Sequence, residues 1–88
     1  MPWFLYIAQA QQTGYYYVGI TTDPKRRLIE HNKGRGARMA MSQGPFTLVY
    51  ISQSLLNQSV ARKKEIEIKG WTRKKKEQLI QGELVLES

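Results

Sequence analysis

The chain has 88 residues, 41% of them hydrophobic, with a formal charge of +7 and no cysteine. This length predicts one domain with a modest core, and the lack of cysteine excludes disulfides, zinc–thiolate sites and a cysteine nucleophile. No apolar run approaches the ~20 residues that span a bilayer, and the start shows no basic stretch followed by an apolar one, so no membrane partner is expected and the cytoplasm is the expected compartment.

Trp3 to Ala8 reads as a strand, with Trp3, Leu5 and Ile7 on one face and Phe4, Tyr6 and Ala8 on the other. A polar connection closes on Thr13-Gly14, a turn signal. Tyr15 to Ile20 is a second strand, aromatic and β-branched, which predicts an antiparallel hairpin. Both strands carry apolar residues on both faces, so helices should cover much of the sheet. Asp23 as N-cap and Pro24 as first residue open a helix expected to run to about Asn32. A basic, glycine-punctuated segment from Lys33 to Arg38 follows and is expected to be a mobile arm, with Gly44-Pro45 marking a further turn. Phe46 to Ser52 is a third strand, with Phe46, Leu48 and Tyr50 sharing one face. A second helix should start near Ser54 or Asn57 and stop before Gly70. A third is capped by Thr72 and runs through Ile80. The domain is placed at residues 1–82 and a short tail at 83–88; Leu84, Val85 and Leu86 either dock or add a strand.

The charge is unevenly spread. The first 24 residues hold no lysine or arginine, and all 14 basic residues lie between Lys25 and Lys76. That pattern points to a polyanion, nucleic acid before a membrane surface, with ordinary solvated helix faces as the plain alternative. The stretch from Tyr17 to His31 carries the candidate chemistry. Arg27 and His31 sit four apart on one helix face, and Tyr17 lies on the strand that feeds the helix, so a phenol, a guanidinium and an imidazole are expected near one turn. These groups can act on a phosphate ester. Gly19 allows the close backbone approach such a turn needs. In the second helix Glu65 lies in line with Ala61 and Ile68, and Glu67 flanks the same stripe from the other side; spacing leaves the choice between them open. For Tyr15 and Tyr16 the expected role is packing, and for Trp71 packing at the helix junction ahead of stacking on a base.

In order, Phe4-Leu5-Tyr6, Tyr17-Val18-Gly19, Arg27, His31-Asn32, Gly36-Ala37, Gly44-Pro45 with Leu48-Val49-Tyr50, Ala61 to Lys69 around Glu65, and Lys76, Leu79 and Ile80 resemble the GIY-YIG nuclease superfamily, specifically its small stand-alone bacterial members. No single motif is specific; the ordered set, covering about Trp3 to Ile80, is. Phe4 stands where the family has glycine, and the asparagine some members carry in the C-terminal helix has no match, Gln78 being nearby. The resemblance implies an α+β fold, a three-stranded antiparallel sheet flanked by helices. It implies a metal-dependent endonuclease with one catalytic carboxylate and Mg²⁺ or Mn²⁺ as cofactor. Tyr6 and Tyr17 match the paired tyrosines, Arg27 the arginine, His31 a position held by tyrosine or histidine, and Glu65 the metal ligand.

On that reading Arg27 neutralises phosphate charge, and Tyr6 or Tyr17 orients or deprotonates the attacking water. An unperturbed phenol near ~10 is a poor base at neutral pH and needs nearby positive charge to depress it. Arg27 should keep His31 neutral, able to accept a proton or align the water. With one histidine no two-histidine zinc site is available within the chain, and no phosphate-binding P-loop spacing appears. Lys25, Arg26, Lys33, Arg35, Arg38, Lys69, Arg73 and Lys76 are the expected DNA-backbone contacts, weakly sequence-specific and salt-sensitive. A homodimer or a partner protein would supply further grip, and repair or recombination is the expected setting. The competing functions are a non-catalytic nucleic-acid-binding module on the same fold and a structural protein whose basicity is incidental.

Overall fold

The computed structural model describes residues 1–33 and 45–86. Its centre is the first strand, β1 (Phe4–Ala10), which pairs antiparallel with β2 (Tyr16–Thr21) on one side and β3 (Phe46–Ile51) on the other. The hairpin between β1 and β2 closes through Gly14, whose φ of 75° is open to glycine at no steric cost. Its N–H donates to the Ala10 carbonyl at 2.8 Å, and Ala10 N–H donates to Tyr15 at 2.9 Å. That closure carries β1 two residues beyond the predicted Ala8.

As a central strand, β1 buries both faces. Leu5 and Ile7 join Val18, Leu55, Ala61, Ile68, Leu79 and Leu86 in one core cluster, while Tyr6, Ala8 and Ala10 meet Phe46 in a second. Each fully buried leucine or isoleucine stabilises the fold by roughly 1.5–3 kcal/mol. β3 departs from the predicted alternation. Ile7 faces Tyr50 but Ala8 faces Leu48, so Val49 is the extra residue of a bulge. Tyr50 therefore crosses to the face of Ile7 and leaves Phe46 and Leu48 on the other, because two residues on the bulged strand oppose one on its partner.

Three helices stand among the described residues, each opened by a predicted cap. In α1 (Pro24–Asn32) the Asp23 carboxylate accepts from Arg26 N–H at 3.2 Å. In α2 (Gln58–Lys69) Asn57 accepts from Val60 N–H at 2.9 Å, which decides between the two predicted starts, and Gly70 ends it. In α3 (Arg73–Ile80) Thr72 accepts from Lys75 N–H at 3.2 Å. α2 turns Ala61, Glu65 and Ile68 inward and leaves Glu67 exposed. Trp71 packs on the core between α2 and α3, with Lys75 Nζ 4.4 Å from its ring centre. The described residues after α3 dock instead of adding a strand: Leu86 is buried, Leu84 half-buried and Val85 exposed. Of the predicted basic arm only Lys33 is described; Arg35, Arg38 and Gly44 lie outside the described residues. No helix among those residues is long and apolar enough to cross a membrane.

Candidate active site

Cross-strand pairing sets Tyr6 of β1 directly opposite Gly19 of β2. The hydroxyl end of the Tyr6 ring covers that position: a Cβ on Gly19 would fall 2.6 Å from the Tyr6 hydroxyl and 2.7 Å from the ring carbon bearing it. Glycine is required here for space, since its φ is not positive. Tyr6 is 1% exposed. One pleat away on the same face, the Tyr17 ring stands 6.3 Å from that of Tyr6, centre to centre.

α1 delivers the next two groups. Thr21 and Asp23 fix where it starts, Thr21 Oγ1 accepting from Asp23 N–H at 3.1 Å. From that start one turn reaches Arg27 and two reach His31. His31 is the single residue of α1 that is buried. Its Nε2 is 3.2 Å from the Tyr6 hydroxyl, and its ring stands edge-to-face with that of Tyr17, 4.9 Å between centres. With the imidazole proton on Nδ1 the phenol donates to Nε2; with the proton on Nε2 the direction reverses. The neighbouring Asn32 holds this end of the helix to β3. Its Oδ1 accepts from Phe46 N–H at 2.8 Å, and its Nδ2 donates to the Phe46 carbonyl at 3.0 Å. Arg27 is half-buried, with Nη1 3.5 Å from Glu30 Oε1.

Glu65 comes from α2 and is the one buried acid among the described residues. Arg62 Nη1 stands 2.8 Å from its Oε1 and Lys69 Nζ 3.4 Å from its Oε2. The burial of Glu65 and the exposure of Glu67 separate two residues that spacing left equivalent. Among the described residues no three acidic, histidine or cysteine side chains converge as a metal cage. Glu65 offers the hard carboxylate oxygens that a divalent ion takes, each of them paired here with a cation.

One hydrogen bond and several charges bear on Tyr6. Burial is the main cause that pushes its phenol up to about 12; Tyr17 and, more weakly, Glu65 add to the rise, and Arg27 opposes it. The positive charge expected beside a tyrosine is thus present but outweighed, and Tyr6 is a protonated phenol at neutral pH, not a resting base. His31 is held below the ordinary histidine value, first by burial and then by the Arg27 charge, with Glu30 partly opposing. The expected neutral imidazole follows, with burial ahead of the arginine as its cause.

The basic residues divide. Lys25, Arg26 and Lys33 are exposed at the two ends of α1. Arg73 is engaged within the fold: its guanidinium lies 4.2 Å from the Tyr16 ring centre, donates to the Gly14 carbonyl at 3.0 Å and pairs with Glu77 at 3.5 Å. Lys69 and Lys76 line a cleft of about 310 Å³ with Tyr15 to Val18. Two contributors escaped sequence reasoning as parts of the site: the fit of the Tyr6 ring on Gly19 and the Asn32 clamp. An asparagine at a helix end reads as a stop signal, and nothing local announces a partner 14 residues on.

Paired strand tyrosines, an arginine and a histidine two turns into the following helix, and one carboxylate on a later helix define a class. The GIY-YIG catalytic domain model matches residues 2–78, and the chain belongs to that family. It is 41% identical to a UPF0213 protein of Cronobacter sakazakii, over 98% of this chain and 88% of that one. It is 38% identical to the UPF0213 protein YhbQ of Escherichia coli K12, over 90% and 77%. The solution NMR structure of the UPF0213 protein BH0048 from Bacillus halodurans is similar in fold, with a TM-score of 0.56 and 37% identity, covering 92% of this chain and 84% of that one.

Proposed function

We propose that the chain is a metal-dependent endonuclease that hydrolyses DNA phosphodiester bonds with low sequence specificity, in repair or recombination. The observation that carries this is the convergence on one buried phenol: Tyr6 is hydrogen-bonded to His31, has the Tyr17 ring beside it and lies within electrostatic reach of Arg27 and Glu65. Family membership supports the same reaction class.

In this reading Glu65 would hold one Mg²⁺ or Mn²⁺, which supplies charge neutralisation at the phosphate and the leaving oxygen when bound. Arg27 offers its planar fork to the non-bridging oxygens, where negative charge develops. A phenol held up at about 12 does not deprotonate water by itself. Tyr6 can pass a proton instead. Its hydroxyl gives its proton to the neutral His31 Nε2 at 3.2 Å as the oxygen accepts one from the attacking water. The phenol is neutral before and after, and the imidazole ends as the cation. Tyr17 edges the same imidazole and limits where that water sits.

The pairing of both Glu65 oxygens with Arg62 and Lys69 favours a second reading, a nucleic-acid-binding module in which the carboxylate is spent on an ion pair. The purified protein, incubated with branched, nicked, single-stranded and duplex DNA, with Mg²⁺ or Mn²⁺ or with chelator, decides. Cleavage that needs both metal and Glu65, tested in Glu65→Gln, supports the enzyme. Salt-sensitive binding with no cleavage across the panel supports the module.

A further inference from the structure

The cleft beside the site has a composition of its own. Its walls are Tyr15, just before β2, and Tyr16, Tyr17 and Val18 of β2, with Lys69 from the end of α2 and Lys76 from α3. β2 is an outer strand of the sheet. In an antiparallel ladder successive residues alternate between facing the partner strand and facing away. The Tyr15 carbonyl accepts from Ala10 N–H, and the register pairs Ala8 with Tyr17 and Tyr6 with Gly19. The main-chain N–H groups of Tyr16 and Val18 therefore point away from β1, off the outer edge of the sheet. Lys76 is half-buried and has no carboxylate within ion-pair distance among the described residues.

The tyrosines differ in availability. Tyr16 is committed, its ring under Arg73 and its hydroxyl donating to Glu77 at 3.3 Å. Tyr15 is 45% exposed and belongs to neither core cluster, contrary to the packing role expected of it. Two ammonium groups and outward amide donors suit a phosphate. A free phenol ring at the rim suits the π-face of a base. The volume, about 310 Å³, sits at the small end of ligand pockets, which run ~300–1,000 Å³. It suits one nucleotide and not a duplex.

We infer that this cleft is a subsite for one nucleotide of an unpaired DNA strand, its phosphate between Lys69 and Lys76 and its base against Tyr15. The inference rests on the nucleic-acid reading above and deepens it. Lys69 also reaches Glu65 Oε2, and Tyr17 also edges His31. The bound nucleotide thus neighbours the phosphate presented to Arg27, and the preferred substrate is locally single-stranded.

The test is a heteronuclear NMR titration of the full chain, in chelator, with a single-stranded thymidine trinucleotide and separately with a blunt duplex. The expected result is amide shifts gathered at Tyr15 to Val18, Lys69 and Lys76 with the trinucleotide. The Tyr15→Ala and Lys76→Gln variants, their folding read from the same spectra, should each weaken binding about fivefold or more, and Lys63→Gln should leave it unchanged. Shifts mapping elsewhere, equal affinity for the duplex, or unaltered affinity in both variants overturns the subsite. Cleavage assays in Mn²⁺ keep the two ideas apart. DNA cut by a protein whose cleft ignores the trinucleotide removes the subsite and keeps the endonuclease. A cleft that binds as described, in a protein that cuts nothing, keeps the subsite and removes the endonuclease.

Discussion

The Tyr6 hydroxyl and His31 Nε2 meet at 3.2 Å across 25 residues of chain. One group comes from the central strand and the other from the end of α1. Neither partner of this hydrogen bond reaches much solvent, at 1% and 3% exposure. Burial acts on them in opposite senses because it favours the uncharged form of each. It raises the phenol and lowers the imidazole, so both are neutral at pH 7.

Tyr6 should be among the last tyrosines to ionise. In an ultraviolet pH titration a step near 12 should be missing from Tyr6→Phe. The unfolded chain releases this proton near ~10, so native stability falls as pH rises through that window. A phenol that titrates at the ordinary value would mean that the Tyr6 hydroxyl is not withdrawn from water as described.

For His31 the sign is opposite. The unfolded chain takes up its proton near ~6.5, the native one only at lower pH. Above that range the group adds no pH dependence. As pH falls through ~6.5 the unfolded state binds more protons and stability declines, levelling once the native histidine is also charged. Melting temperatures of the wild type and His31→Gln, measured between pH 5 and 8, should differ in slope below pH ~6.5 and run parallel above it.

Gly19→Ala forces the Tyr6 ring to move, with three of its atoms at 2.6–2.9 Å from the new Cβ. The expected cost is about 1–3 kcal/mol, or roughly 4–8 °C of Tm per kcal/mol at this size, together with loss of cleavage. Removing the hydroxyl in a Gly19→Ala/Tyr6→Phe double variant relieves only the shortest contact, so recovery should be partial. Gly70→Ala, whose nearest neighbour lies at 3.4 Å, should be close to neutral.

What the sequence made legible follows the range of the interactions involved. Caps and turns are local, so Asp23, Thr72 and Gly14 could be read directly, and α1 runs over its predicted span. The candidate site residues rest on their order along the chain, because hydrophobic spacing treats Glu65 and Glu67 alike and only packing of α2 on the sheet separates them. The face of Tyr50 was missed since a bulge depends on how two distant strands meet, not on the composition of either. The balance at Tyr6 was missed for a related reason: an arginine four residues from His31 is visible, and the depth of a ring two strands away is not.

Asn32 should prove a positioning residue. Asn32→Ala leaves the N–H and C=O of the buried Phe46 without their partners, at a cost of about 1–3 kcal/mol. Asn32→Asp keeps the acceptor and sets a carboxylate against a carbonyl, so it should rescue only in part. The distinguishing readout is the His31 ring resonance, which should move in both variants; a purely global loss of stability would leave it in place.

Glu65 is buried, but its partners are not, since the Arg62 and Lys69 side chains are 55% and 54% exposed. Cations freed at the surface regain water, so Glu65→Gln should fold, at a cost of only ~1 kcal/mol, while cleavage disappears. The same geometry sets up a competition. Arg62 on Oε1 and a divalent ion both require the carboxylate charge, and the guanidinium at 2.8 Å is the closer of its two present partners. Arg62→Gln should therefore bind Mn²⁺ several-fold more tightly than the wild type when titrated calorimetrically without DNA. Weaker binding in Arg62→Gln would instead mean that the arginine orients the carboxylate for the metal, and unchanged binding would mean that the ion does not use Glu65 Oε1.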